Sequence, residues 1–356
     1  IFAGAKCPRK ITISMNIFTF ILGRPIKAQR QTVKLSAEPA DRESLQQYYD
    51  SHLAPLAARY ETKRVASLKA TRQRLYLSLV IVAGLVLLTI LGHSRGLVLF
   101  PLPIIALLLL GFWSFTPTRQ FTRQVQQEIY PIMFKYFGED FIYNREMRLD
   151  INRLSAAKVL PHYDKVSFGD YIHGQYKGVE LIVNELTLTK DVRVEEWDGN
   201  KRKTVTRTET RFRGTVVELS SHKQFIGHTV VLKDRGGLAN FLSDSHSGLQ
   251  RVRLEDPLFE KEFDVFSTDQ IESRYLLNTA FMERLQQLAK VFAGDIQCAF
   301  FRNRLILFLP NRRSRFQMRS IFDSANFSTE FSQLNREMKQ LFAIIEILKL
   351  NEYTGL

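Results

Sequence analysis

Two apolar runs without ionisable side chains, residues 75–92 and 97–115, dominate the hydrophobic pattern of the chain. Each is close to the ~20 residues that an α-helix needs to cross the hydrocarbon core of a bilayer. Because only four residues separate the runs, the pattern predicts a transmembrane helical hairpin over residues 75–115. A pair of buried helices in a soluble core is the alternative, but neither run has a polar face for water. Pro101 and Pro103 either kink the second helix or form its first turn.

Amphipathic patterns flank this hairpin on both sides. Apolar side chains at helical spacing predict one amphipathic helix over residues 41–74, interrupted at Pro55, and another over residues 116–139, with Pro131 inside and Gly138 as its stop. The two helices either pack on each other as an antiparallel stalk or lie flat on the bilayer. We favour packing, because few lysines flank the second apolar stripe.

From residue 140 onward, short runs with period two alternate with turn signals, as in antiparallel strands. The dipeptide Asp198-Gly199 is typical of a tight hairpin turn, and the strands around it are polar on both faces. They predict a projecting arm in which Glu195 and Glu196 face Lys201, Arg202 and Lys203. The predicted strands cover residues 168–172, 179–183, 186–196, 202–212, 215–219, 229–232, 263–266, 296–301 and 305–309.

Two helices complete the predicted domain. One covers residues 269–293, where Asp269 and Glu272 suit the helix start and Asn278 marks a break. The other follows Ser328, and its heptad-like apolar spacing suits packing on the domain's own sheet, which we favour, or on a partner helix. The predicted fold class is α+β: a transmembrane helical hairpin with flanking amphipathic helices, followed by a mixed α+β domain over residues 140–356.

The formal net charge of +14 is concentrated before the first apolar run. Residues 1–74 carry 14 Lys and Arg against five Asp and Glu, whereas residues 116–356 carry 35 against 31. The hairpin tip offers Arg95 alone, so the positive-inside rule places both flanks, both termini and the large domain in the cytoplasm. A basic juxtamembrane stretch suits anionic lipid, whereas nucleic-acid binding would place the excess on the large domain. Membrane lipid is the expected partner.

The first 40 residues are predicted to be a disordered basic segment. Met15 is a plausible start, which would make residues 1–14 non-native, and a signal peptide fits poorly because Arg24 and Lys27 directly follow its apolar run. The two cysteines, Cys7 and Cys298, build no zinc site and fit a reducing compartment.

Several segments resemble the domain-of-unknown-function 3137 family of bacterial membrane proteins. The most recognisable is EDPLFEKEFDVFSTDQIESRYLLNTAFMERL, at residues 255–285, and residues 160–181, 212–219 and 299–310 agree in order. The resemblance covers residues 151–322 and excludes most of the polar arm. It implies a bacterial inner-membrane protein of the predicted layout, without an established activity, and a LemA-type membrane protein as a candidate partner.

The sequence predicts no catalytic, cofactor or metal site. Neither GxxxxGK[ST] nor GxGxxG is present, no HExxH occurs, and the serine in DSHSG lacks the first glycine of GxSxG. His162 and Asp164 could form a catalytic pair, but beside Pro161 they fit a turn better.

The candidate binding site is basic. Six arginines within eighteen residues, with no acid among them, would suit phospholipid head groups or a partner protein, with nucleic acid as a weaker alternative and a solvated loop as the default. These residues are Arg302, Arg304, Arg312, Arg313, Arg315 and Arg319. We expect a membrane-anchored cytoplasmic binding or scaffold module; the alternative is an enzyme acting on a membrane-associated substrate.

Overall fold

The computed structural model describes residues 20, 39–93, 101–198, 201–233, 248–292, 296–311, 314–316, 321–322 and 325–352. The predicted disorder of residues 1–40 therefore lies outside the described residues, apart from residues 20, 39 and 40, and so does the hairpin tip. The chain divides into two compact units. The first contains Ile1–Ile132 and Met318–Ser332, and the second contains Met133–Gln317 and Gln333–Leu356.

Long helices build the first unit. They are α1 (Pro39–Tyr48), a π-helical turn (Tyr49–Leu53), α2 (Ala54–His93), α3 (Pro101–Ser114) and α4 (Thr116–Phe134). The predicted interruption at Pro55 is a π-helical turn rather than a helix end. The proline falls in the first turn of α2, where its missing N–H needs no partner. Pro101 and Pro103 lie at the start of the described part of α3, and the residues before Pro101 lie outside the described residues, so neither predicted role of these prolines is tested.

The two flanking amphipathic segments pack on each other. The ring centroids of Tyr60 in α2 and Phe121 in α4 are 6.4 Å apart, and the Tyr60 hydroxyl donates to the carboxylate of Glu128. Further along, the Tyr48 hydroxyl donates to the carbonyl oxygen of Ile132 at 2.6 Å. Of the two predicted arrangements, the structure therefore shows the packed stalk.

One antiparallel sheet organises the second unit. Among the described residues it has nine strands in the order β1-β2-β3-β4-β9-β8-β5-β7-β6. The strands are β1 (Ile142–Asn144), β2 (Lys165–Tyr176), β3 (Val179–Asp198), β4 (Lys201–Ser220), β5 (Thr229–Lys233), β6 (Gln250–Val252), β7 (Phe263–Ser267), β8 (Gln297–Phe301) and β9 (Arg304–Pro310). Mixed α+β architecture with antiparallel hairpins is thus confirmed.

Helices accompany the sheet at five places in the described chain: α5 (Ile151–Ala156), α6 (Pro257–Glu262), α7 (Gln270–Leu276), α8 (Thr279–Val291) and α9 (Ser328–Ile347). The predicted break at Asn278 is confirmed, because its side chain caps α8 by accepting from the Phe281 N–H at 2.9 Å. The predicted stop at Gly138 is also present, after a single 3₁₀ turn, Lys135–Phe137.

Both faces of the sheet carry apolar side chains. One face meets α5 and its flanking segment, with a core formed by Leu154, Val159, Ile182, Leu186, Val216, Val230, Ile306 and Phe308. On α9, the Phe342 ring stacks on Tyr176 of β2 with centroids 4.0 Å apart, and Glu346 accepts from the Tyr176 hydroxyl. This part of α9 therefore packs on its own domain, as we favoured.

Four predicted strands are in fact two. Residues 179–183 and 186–196 join in β3, and residues 202–212 and 215–219 join in β4. The predicted break at Gly214 is wrong, because the glycine allows close approach to β9: a Cβ there would collide with the Leu309 carbonyl oxygen. Strands β1 and β6 were not predicted.

Candidate functional site

The turn between β8 and β9 carries the first of the predicted arginines. Phe301 pairs with Arg304, so Arg302 and Asn303 form a two-residue loop with positive φ angles of 51° and 57°. The Arg302 side chain is exposed, and its guanidinium lies 5.0 Å from the centroid of the Phe301 ring. Its charge faces solvent.

Arg304 belongs to a buried ionic network. Its Nε lies 3.1 Å from Oε1 of Glu218, a fully buried carboxylate that also binds Arg153. Its Nη2 lies 2.6 Å from Oε2 of Glu180. Burial opposes ionisation of Glu180, but the pair with Arg304 outweighs it and holds the pKa of that carboxyl below its ordinary value. Arg304 thus neutralises carboxylates inside the domain.

Arg315 lies on the opposite face of the sheet. Its guanidinium pairs with Glu337 of α9 at 2.7 Å, and its backbone N–H donates to Oε1 of Glu185 at 2.5 Å. Glu185 of β3 pairs with Thr215 of β4, and paired residues point to the same face of a sheet. Glu218 is three positions after Thr215, so it points to the opposite face. The six arginines therefore do not share one face of the domain. Arg312, Arg313 and Arg319 lie outside the described residues, and the predicted lipid contact stays a prediction.

A β-bulge brings two carboxyl groups together in the interior. Phe168 pairs with Leu186 and Tyr171 with Asn184, so Gly169 and Asp170 together oppose Glu185. Burial raises the pKa of both the Asp170 and the Glu185 carboxyls, and the proximity of Asp170 adds to the rise at Glu185. Tyr143 donates to Asp170 at 2.7 Å. This pair can hold a proton.

The structure supports no metal site at this pair. Among the described residues, no group of three or more His, Cys, Asp or Glu side chains could hold a metal ion. The Thr215 hydroxyl, on the residue that pairs with Glu185, is buried without a hydrogen-bond partner.

A basic cavity of about 220 Å³ opens beside the β8–β9 turn. The loop after β4, the start of α8 and the segment after α9 line it. Its cations are Lys223, Arg284 and Lys349, and its carboxylate is Glu352, which pairs with Lys349 at 2.9 Å. The His222 side chain also lines it. We call this cavity, with Lys223 and Arg284 as its central cations, the basic pocket.

Lys223 and Arg284 come together without a neutralising acid. No carboxylate among the described residues lies within ion-pair distance of either side chain. Partial burial disfavours the Lys223 ammonium, and the nearby Arg284 charge disfavours it further, so the pKa of Lys223 lies below its ordinary value. The Lys223 Nζ lies 4.7 Å from the centroid of the Tyr275 ring. An anion between the two cations would relieve their repulsion.

Backbone hydrogen bonds hold the loop of the basic pocket. The Ser221 and Phe225 N–H groups donate to the backbone and side-chain oxygens of Asn303 at 3.3 and 2.9 Å. Glu272 accepts from the N–H groups of Ile226 and Gly227 at 2.8 and 2.6 Å. The predicted role of Glu272 at the helix start is therefore incomplete, because its carboxylate anchors this loop. Asp269 does cap α7, as predicted.

Sequence reasoning missed the basic pocket. Its two central cations are about sixty positions apart, and the segment that completes the cavity comes another sixty positions later. No local spacing connects them. The catalytic alternative gains nothing from the structure, since His162 and Asp164 are exposed and Asp164 accepts from the Asp191 backbone N–H at 2.8 Å.

These features define a class of protein: an antiparallel α+β domain preceded by long apolar helices, with a basic pocket and no recognisable catalytic set in the described residues. Within this class, residues 210–350 match the family described as "Protein of unknown function (DUF3137)". The match confirms, over these residues, the family resemblance that the sequence predicts. The resembling segment at residues 160–181 lies before the matched residues.

Two other comparisons add little. No curated protein matches the chain. A solved structure, described as "crystal structure of the mycobacterial trehalose monomycolate transport factor A, TtfA", is 11% identical and covers 58% of this chain and 88% of its own, with a TM-score of 0.29. A TM-score this low supports no statement about fold or function.

Proposed function

We propose that this protein is an inner-membrane anchored binding or scaffold module, in which α2 and α3 cross the bilayer. The observation that carries the proposal is exposed apolar surface. By length and composition, Asp41–Gly92 and Pro101–Phe137 both qualify as spans. Val80, Ile90 and Leu108 are 69%, 64% and 69% exposed. Soluble monomers rarely leave such continuous apolar surface open to water.

Contacts between α2 and α3 favour a hairpin whose two ends return to the same side. Ser78, at the entry of α2 into the apolar run, lies 2.8 Å from Ser114 at the end of α3. Near this end, the Arg74 guanidinium lies 4.7 Å from the Trp113 ring and the Arg119 guanidinium 4.1 Å from the Phe112 ring. Arginines and aromatic rings together are typical of a membrane–water interface.

The same basic end sets the proposed orientation. Positive side chains are retained on the cytoplasmic side during insertion, so both flanks and the α+β domain would lie in the cytoplasm. The domain would act by binding a lipid or another protein near the bilayer, because its described residues offer a basic pocket and no convergent catalytic set. A LemA-type protein remains a candidate partner.

Alkaline carbonate extraction of membranes tests the anchor. The full chain should stay in the pellet, as integral proteins do, and release into the supernatant would contradict the proposal. Crosslinking in cells, followed by affinity purification in detergent, tests the binding role. We expect a specific protein or lipid to co-purify, and repeated recovery of the chain alone would count against a scaffold.

A further inference from the structure

Two aliphatic side chains close to the basic pocket in the chain are strongly exposed. Ile226, three residues after Lys223, is 102% exposed, and Ile271 on α7 is 83% exposed. Glu272 joins these two positions, because it follows Ile271 and its carboxylate holds the Ile226 N–H at 2.8 Å. Tyr275, one turn after Ile271, is 41% exposed and lies under the Lys223 ammonium.

This juxtaposition places two different chemistries side by side. Lys223 and Arg284 line the cavity with positive charge. The two isoleucines lie outside its lining, one three residues after Lys223 and the other one turn before Tyr275, and they present hydrocarbon to solvent. A phosphate group suits the first, because a guanidinium and an ammonium bind its oxygens by charge-assisted hydrogen bonds. Acyl chains suit the second, since exposed aliphatic side chains insert at the boundary between head groups and hydrocarbon.

The size of the cavity limits the ligand further. At about 220 Å³ it is smaller than the ~300–1,000 Å³ typical of pockets that enclose whole drug-sized ligands. It can therefore take a small anionic head group, and the acyl chains of a lipid must lie outside. An amphiphile whose small anionic head enters while its chains stay on the apolar edge meets this requirement.

We propose that the basic pocket binds the phosphate of an anionic phospholipid, with Ile226 and Ile271 against its acyl chains. The inference rests on the proposed function, since such a ligand presupposes a domain held near a bilayer. The basic pocket is separate from the predicted arginine site. Among the described arginines of that site, Arg302 alone is exposed.

Calorimetric titration of the full chain in a neutral detergent tests the pocket without a bilayer. The probes are water-soluble dihexanoyl phosphatidic acid, dihexanoyl phosphatidylcholine as the control for partition into micelles, and inorganic phosphate. We expect phosphatidic acid to bind at least tenfold more tightly than either of the others. Lys223→Ala and Arg284→Ala should each weaken this binding at least tenfold, whereas Lys290→Ala, on an exposed lysine of α8, should not change it.

Two further variants separate the lipid from free phosphate. Ile226 and Ile271 are exposed, so the substitutions Ile226→Ser and Ile271→Ser should leave the thermal unfolding unchanged. Each should weaken the binding of phosphatidic acid several-fold. Equal affinity for phosphate and phosphatidic acid, with no effect of the isoleucine variants, would overturn the lipid assignment. Binding that survives Lys223→Ala and Arg284→Ala but is lost in Arg302→Ala would overturn the pocket itself, as would no binding.

Failure here is distinguishable from failure of the anchor. Carbonate extraction reports on α2 and α3, and it does not depend on the basic pocket. If the chain stays in the membrane fraction but does not bind phosphatidic acid, the proposed anchor is supported and the proposed lipid site is refuted. Conversely, phosphatidic acid binding by a chain that carbonate releases would retain the pocket and refute the anchor.

Discussion

Asp170 and Glu185 are carboxyl groups whose properties depend on one backbone irregularity. The extra residue of the bulge in β2 brings both to the same buried face, and Gly169 leaves room because a Cβ there would lie 3.1 Å from the Cβ of Glu185. Burial favours the neutral form of each carboxyl. The folded protein therefore holds a proton at this pair more tightly than the unfolded chain does.

Substitution Glu185→Gln should make the folded protein more stable at neutral pH. A carboxyl with a raised pKa in the folded state loses stability as the pH rises from its ordinary pKa near 4.5 through the raised value. Glutamine cannot ionise and still accepts the Arg315 N–H, so the gain should appear above that window and vanish below pH 4.5. Thermal unfolding of the full chain between pH 4 and pH 8 measures it.

The exposed carboxylate Glu195 on the arm gives the control. Glu195→Gln should leave the pH dependence of unfolding unchanged, because its side chain is 66% exposed. If Glu185→Gln instead lowered stability at every pH, the interactions of the ionised carboxylate would outweigh its burial, and the proton-holding interpretation would be wrong.

The arm formed by β3 and β4 illustrates an element that pairs only with itself. The pairing of β2 with β3 ends at Thr189, and the pairing of β9 with β4 ends at Gly214. Beyond these points none of the described side chains of the arm is buried. Register places Glu196 opposite Lys203, as predicted, while the ion pair described is a long one between Glu195 and Arg202, at 3.7 Å. The arm contributes little to the core.

Deletion of residues 192–207 should therefore preserve the domain. Asp191 pairs with Thr208, so an Asn-Gly turn between them closes a regular two-residue hairpin and keeps the contacts of Asp191 with Lys165 and Thr208. We expect the Tm to change by less than ~3 °C, as for loss of surface structure. A matched deletion is not possible in the β2–β3 hairpin, where Val179, Leu181 and Val183 are fully buried. A large fall in Tm would show that the arm supports the fold.

At the scale of the whole molecule, the proposed topology depends on charge asymmetry. The basic excess lies before the first apolar run, and the tip has a single arginine. Moving the basic flank across a bilayer would cost more than moving the tip, because each Lys or Arg must leave water. In the proposed topology, this difference rather than any contact within the fold would set the orientation.

Cysteine labelling measures that orientation. Cys298 is fully buried, and burial raises the pKa of its thiol to about 12, so it should stay unreactive. With Cys7→Ser as background, we expect Ser94→Cys at the tip to react with a membrane-impermeant maleimide in intact cells. Glu146→Cys, at an exposed position of the domain, should react only after the cells are opened. The reverse pattern would refute a cytoplasmic domain.

Local patterns predicted much of the architecture. The apolar runs, the stop at Gly138, the cap at Asn278 and the Asp198–Lys201 hairpin all depend on residues within a few positions of one another, and all are present. The bulge at Gly169 was not predictable, because it depends on which strand pairs with β2 and in which register. The positions of Arg304 and Arg315 were not predictable for the same reason. They are close in sequence, but they lie on opposite faces of the sheet.

The sequence by itself determined where apolar length and charge lie, because hydrophobic transfer and helix periodicity act along the chain. Only the tertiary structure decided which charged side chains form ion pairs within the domain and which are exposed to solvent. Arg304 contacts Glu218 across paired strands, and Lys223 and Arg284 line one cavity although their loop and helix are distant in sequence. Such contacts form when strands pair and helices cover them, and no local pattern records them.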